Sequence, residues 1–301
     1  MTSVLILTGA PRGAAELASA TVHRAAAAPR GSTALQAAGI PFGAFRTPDG
    51  RFGPPFTGVV MGGRPASILR ELEAARAAHV HVMLRLATNR RHFQGADGAF
   101  SLELWKGEVD RFRDVDFTSY IADGTIIGHY LFDEPHDPSN WNGRPVPYAD
   151  IEAAAAYSKQ LWPAMPTAIR APPSWLAAGA PWSALDMGWA QYSVRWPDPA
   201  AFIATESAAA QRAGLGVVAG LNVLDGGSGE FGVAGYTAGR SAMSPSEIER
   251  YSSALLADPR VCAFFVWRWD DAYFGRPEIQ GAIARAAQAA QNHPSSSCRT
   301  R

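Results

Sequence analysis

Cysteine is almost missing from this chain: Cys262 and Cys298 are the two among 301 residues. One falls in an expected strand and the other in the tail, so they supply neither a disulfide framework nor a metal-ligand set. A surplus of charge is missing too, with 27 acidic against 27 basic residues. Nothing electrostatic therefore points to nucleic acid or an anionic membrane, and a neutral ligand fits better. No stretch approaches the roughly 20 apolar residues that cross a bilayer. There is no HExxH pattern and no GxSxG nucleophile elbow, and glycines 226, 227 and 229 are not spaced as a nucleotide fingerprint. His79 and His81 alternate across a strand as a conceivable metal pair, but no supporting ligand set accompanies them. No internal repeat or low-complexity linker divides the chain.

Aromatic residues, by contrast, are abundant: nine Trp, eight Tyr and 14 Phe. Several sit in expected loops beside Pro and Gly, where an exposed ring face suits the C–H groups of a sugar. From residue 39 onward, strand-like and helix-like segments alternate, which argues a parallel sheet with helical crossovers. Strands are expected at 40–45, 79–86, 124–134, 166–171, 184–192, 216–224 and 261–269. Helices are expected from 65, over 102–120, 149–162 and 199–213, from 244 to about 257, and over 277–291. The helix over 199–213 stops at Gly214, and Ser244 with Glu247 forms a capping box. An eighth strand is either residues 3–8 (SVLILT) or a segment near 57–61. If SVLILT is instead a leader it is a poor one, since no Lys or Arg precedes it. The fold class is therefore α/β, a (β/α)8 TIM barrel that is irregular at its N-terminal strand. Residues 1–38 are a leader, a linker or a first strand and helix; 39–292 are the barrel; 293–301 are a disordered tail.

The stretch that organises the rest is GTIIGHYLFDEPHDPSNW at 124–141. Its apolar, β-rich run reads as a strand buried on both faces. It ends in Asp133 and Glu134, at the carboxyl end where ligands bind in parallel α/β folds. Pro135 cannot continue a ladder and fixes the exit of the chain. The ends of the other strands carry Arg85, Arg170, Gln191, Asn222, Asp225, Asp270 and Asp271. On a barrel these residues ring one mouth.

These features resemble the (β/α)8-barrel glycoside hydrolases, most nearly clan A. The runs GTIIGHYLFDEP, YSKQLWPAMPTAIRAPPSWL, LDMGWAQY and GLGVVAGLNVLDGG are similar to those of bacterial glycosidase-type barrel proteins, over roughly 39–290. The resemblance implies an acid/base Glu after the fourth strand, a nucleophile after the seventh and an aromatic residue after the eighth. The matching positions are Glu134, Asp225 and Trp267 or Trp269. Two departures stand out: Asp133 occupies the place of the family's Asn, and Asp225 that of its Glu nucleophile.

The chemistry asks for one carboxyl that protonates the leaving oxygen and one ionised carboxylate facing the anomeric carbon or a water beside it. Glu134 is the expected general acid/base and Asp225 the second carboxylate, with Asp133, Asp186 and Asp270 as substitutes. Asp133 beside Glu134 is expected to raise the pKa of one of them. Sugar platforms are expected at Trp141, Trp175, Trp267 and Trp269. Polar contacts to substrate are expected from Asp133, Arg85, Arg170, Gln191, Asn222 and Asp270. The sequence thus reads as a glycosidase acting on a neutral glycan, without cofactor or metal, a monomer that binds neither nucleic acid nor membrane. Compartment stays open between secreted and cytoplasmic. Two rivals remain: a carbohydrate-binding barrel without catalysis, and a lyase or isomerase of a phosphorylated metabolite gripped near glycines 226–229. Two acids about 5 to 10 Å apart across a cleft favour the hydrolase, and a lone Glu134 favours the binder.

Overall fold

In the computed structural model the described residues are 39–294 and 298. Eight parallel strands close into a barrel in sequence order. They are β1 (Phe42–Phe45), β2 (Gly58–Met61), β3 (His81–Leu84), β4 (Ile126–Asp133), β5 (Thr167–Arg170), β6 (Met187–Tyr192), β7 (Gly216–Leu221) and β8 (Val261–Val266). The strand that the sequence left open is β2, within the 57–61 alternative. Residues 3–8 lie outside the described residues, and the barrel closes without them, β1 pairing with both β2 and β8.

Period-two alternation explains the two cores. Phe45, Val60, Met83 and Phe265 fill the barrel interior. Their chain neighbours Ala44, Val59, Leu84 and Val266 face outward into the layer beneath the helices. Strands apolar on both faces are what that arrangement requires.

The helices in chain order are α1 (Ile68–Ala77), α2 (Leu102–Asp110), α3 (Thr118–Ala122), α4 (Tyr148–Leu161), α5 (Pro173–Leu176), α6 (Pro199–Ala213), α7 (Pro245–Leu256), α8 (Asp271–Phe274) and α9 (Pro277–Gln291). Gly214 ends α6 in the left-handed conformation, and Ser244 and Glu247 exchange both bonds of the capping box on α7. The single helix expected over 102–120 is two, α2 and α3. Between them the chain turns so that Phe112 and Phe117 are both buried, and the Asp116 side chain accepts from the Thr118 amide. Burial of two aromatic rings outweighs helix continuity there. Among the described residues no helix is long and apolar enough to cross a membrane.

The cysteine expectation needs correcting: Cys262 and Cys298 form a disulfide, with Cα atoms 5.1 Å apart. Spacing could not reveal it, because α9 carries the chain back to the N-terminal end of the barrel, where Cys298 packs on Gly216 and the interior core. His293 is also buried, its ring bonded to the carbonyls of Pro294 and Asp258. The segment expected to be disordered is therefore held at these points. Residues 295–297 and 299–301 lie outside the described residues.

Candidate active site

β4 delivers its carboxylates through an irregularity. Its register against β5 shifts between Tyr130 and Asp133, so that Asp133 pairs with Arg170. The Glu134 amide then donates to the Arg170 carbonyl at 3.1 Å while its own φ is +46°. A non-glycine residue held in that region is strained, and such strain collects at functional sites. The following loop clamps it. The Trp141 indole N–H donates to the Glu134 carbonyl at 2.9 Å, and the Asn140 amide donates to Glu134 Oε2 at 3.2 Å.

Arg170 joins the two acids. Its Nη1 donates to Asp133 Oδ1 at 2.6 Å and its Nη2 lies 3.2 Å from Glu134 Oε1, with the Arg170 side chain only 8 % exposed. Tyr130 adds a 2.8 Å bond from its hydroxyl to Asp133 Oδ1. Burial alone would raise the Asp133 pKa, but Arg170 and Arg85 outweigh it and hold the carboxyl below the usual range. Asp133 is thus not the one of the two acids whose pKa is raised, because Arg170 and Arg85 oppose the rise. Arg170 is itself held more basic than usual: burial works against its charge, but Asp133 and Glu134 more than offset that.

A cavity of about 380 Å³ opens beside this pair, lined by Glu134, His136, Arg170, Trp189, Gln191 and Asn222, and also by Arg195 and Trp196. Expected residues from β4, β5, β6 and β7 thus meet on one wall. Gly220 makes room for them, since a Cβ there would lie 2.8 Å from Trp189 Nε1 and 3.0 Å from Gln191 Oε1. Five buried polar atoms around it have no hydrogen-bond partner in the protein: Gln191 Nε2 and Oε1, Trp189 Nε1, Arg170 Nε and His136 Nδ1. Buried polar atoms are ordinarily satisfied, so this set calls for a polar ligand or water. Burial also keeps the His136 imidazole less basic than usual. Trp189 and His136 were not singled out from the sequence. Trp189 could have been, since it lies two residues from Gln191 on one strand and so faces the same way.

The other expected residues lie elsewhere. Asp225 follows β7 at the same rim, but both its oxygens accept from Thr237, from the amide at 2.8 Å and the hydroxyl at 2.7 Å. Its own amide donates to Asn222 Oδ1. Asp186 precedes β6, at the opposite end of the barrel, where it pairs with Lys159 at 2.7 Å. It cannot serve as a substitute. Asp270 caps α8 through the Tyr273 amide.

Trp141 is no platform. It is 1 % exposed and packed among Phe93, Phe100 and Phe132. Trp175 packs on Tyr148 and His136 with centroids 4.5 and 6.0 Å away. Trp267 meets Tyr236 edge-on. Trp269 stacks on Phe274 and lines a separate cavity of about 700 Å³ with Phe52 and Pro55. His79 is exposed on the turn before β3, whereas His81 is buried with Nδ1 2.8 Å from the Gly124 carbonyl, so the two do not share the barrel interior. In the 226–229 loop the Ser228 amide is already taken by Glu247.

No family model matches this chain, and no curated protein matches it in sequence. Solved structures do match in fold. A glycoside hydrolase family 5 mannosidase from Rhizomucor miehei aligns at TM-score 0.51 and 10 % identity, over 80 % of this chain and 86 % of that one. A family GH113 β-mannanase from Alicyclobacillus acidocaldarius aligns at TM-score 0.50 and 14 % identity, over 85 % and 99 %. An intracellular xylanase from Thermoanaerobacterium saccharolyticum aligns at TM-score 0.50 and 12 % identity, over 83 % and 97 %. Identities this low speak to the fold alone, a (β/α)8 barrel of the kind these glycoside hydrolases share.

Proposed function

We propose that the chain is a glycoside hydrolase with Glu134 as its general acid/base. The observation that supports this best is the 380 Å³ cavity, whose wall carries Glu134 together with residues holding five buried polar atoms that lack hydrogen-bond partners in the protein. A polyhydroxylated ring supplies donors and acceptors in the density such a wall requires. Gln191, Asn222 and Arg170 are then substrate contacts, and Trp189 offers an indole N–H. Glu134 lines the cavity, with Asn140 and Arg170 on its carboxylate and Trp141 on its backbone carbonyl, which supports a fixed direction for the acid.

Asp225 is the proposed second carboxylate, on the same rim after β7. Its oxygens are engaged by Thr237, so this role requires that contact to open when substrate binds. A second reading, a carbohydrate-binding barrel without catalysis, draws on one fact: Glu134 is the one carboxylate on the wall of this cavity. A hydrolysis screen over polysaccharides and aryl glycosides separates the two. Glu134→Gln should lower turnover about a hundred- to ten-thousandfold, the worth of a general acid, while glycan binding persists. Glycan binding with no hydrolysis by the unmodified protein establishes the binder instead.

A further inference from the structure

Balanced charge over the whole chain hides an imbalance at the rim. Beside the Glu134 cavity, two others of about 430 and 410 Å³ open next to β1 and β3, and Arg46 and Arg85 line both. The smaller adds Arg90 and Arg91 to its wall, and its one carboxylate is Asp133. That carboxylate is already bonded to Arg170. The larger has Glu71 as its acid. Among the described residues, the rim arginine with carboxylate partners is Arg170; Arg46, Arg85, Arg90, Arg91 and Arg268 form no ion pair.

Several details mark these guanidiniums as held in readiness for an anion. Arg85 Nε and Arg90 Nη1 are buried and lack a hydrogen-bond partner, though the two guanidiniums lie against the Tyr130 and Trp141 rings. Arg46, directly after β1, has φ +59°, a left-handed conformation that a long side chain seldom adopts. Partial desolvation, then Arg85 and Arg268, make its charged form less favourable than usual although the side chain keeps an exposed surface. Arg268 in turn lies 4.2 Å over the Tyr236 ring. Grouped like charges repel, and a fork of guanidinium N–H donors matches a carboxylate or sulfate in two parallel bonds. An anion seated among them would relieve the repulsion and satisfy the buried donors together.

We propose that the pocket formed by Arg46, Arg85, Arg90 and Arg91 is a subsite for the fixed negative charge of an acidic sugar, a uronate carboxylate or a sulfate ester. The inference rests on the glycosidase reading for the kind of ligand, though not for the charge it carries. Asp133 lines this pocket and Glu134, the next residue, lines the other cavity. A saccharide bound with its anionic group on the arginines therefore has a linkage within the neighbourhood of Glu134. The substrate suggested by overall composition, a neutral glycan, gives way to a charged one, because local placement of side chains rather than their sum sets the field a ligand meets.

Calorimetric titration of the full chain with D-glucuronate, D-galacturonate and D-glucose 6-sulfate, each against D-glucose or D-galactose, tests this. The acidic sugars should bind about ten- to a hundredfold more tightly than the neutral ones, as one or two charge-assisted hydrogen bonds allow, and the difference should shrink in high salt. Comparison of the uronates with the sulfate ester tells which anion the pocket prefers. Arg85→Met and Arg46→Met should each erase most of the selectivity; Arg46 is exposed, so its variant keeps the test open if the Arg85 variant fails to fold. Equal affinity for acidic and neutral sugars overturns the proposal, as does selectivity unchanged in a folded Arg46→Met protein. Charge selectivity in a protein with no hydrolytic activity at all leaves the subsite standing and removes the hydrolase reading.

Discussion

The indole of Trp141 donates to the backbone carbonyl of Glu134 at 2.9 Å, tying a ring buried in the outer core to the strained residue that carries the candidate acid. The side chain of Glu134 is thereby aimed through its own backbone. A core contact and the orientation of the candidate acid are here the same interaction.

Replacing Trp141 with Phe keeps an apolar ring but removes that donor. The expected cost is about 1 to 2 kcal/mol of stability, one net hydrogen bond plus some lost packing. Turnover should fall more than that stability loss explains, with KM little changed, because Glu134 loses its aim and the substrate contacts do not. Paired denaturation and steady-state kinetics check this. Full activity in the variant would show that the clamp is dispensable.

The Arg170 and Asp133 pair sets a pH dependence. Asp133 has a depressed pKa in the fold, so the stability it contributes is present above the unfolded value, near 3.9, and is lost as pH falls through the lower folded value. Arg170→Met should shift this dependence the other way. Burial is then opposed by Arg85 and the Tyr130 hydroxyl without Arg170, the balance shifts towards the neutral acid, and the variant should be most handicapped near neutral pH and recover as Asp133 protonates. The loss at pH 7 should be about 2 to 3 kcal/mol, short of the range for a fully buried pair because Asp133 keeps 24 % of its side-chain surface. Urea titrations of both proteins across pH give the difference directly.

Asp225→Asn tests the second carboxylate. The amide oxygen can still accept one bond from Thr237, so the loop should stay folded and the melting temperature should move little. If Asp225 serves the chemistry, turnover should fall about a hundredfold or more. Unchanged turnover assigns Asp225 to holding the loop alone.

Cys298→Ser opens a covalent loop spanning 36 residues of sequence. Release of that constraint on the unfolded chain should cost about 2 to 4 kcal/mol. Chemical denaturation with and without reductant measures it, and reductant should affect the original protein while leaving the variant unchanged.

What the residues determined alone was whatever depends on local pattern. Apolar runs and alternating helices specified the parallel strands. Capping residues placed the end of α6 and the start of α7, because Gly214 and the Ser244 with Glu247 box act within a turn of their own chain. The end of β4 was legible for the same reason, as the run through Phe132 breaks off at two acids and a proline. Tertiary structure decided everything that depends on which distant residues meet. Trp141 looks like any loop tryptophan until Phe93, Phe100 and Phe132 close over it. Asp225 looks free until Thr237 returns to it across twelve residues. Cys262 finds Cys298 only because α9 brings the chain back beneath the barrel. Charge followed the same division: composition gave a sum of zero, while the rim gathers Arg46, Arg85, Arg90 and Arg91 on one wall, because the ends of β1 and β3 and the loop after β3 converge there.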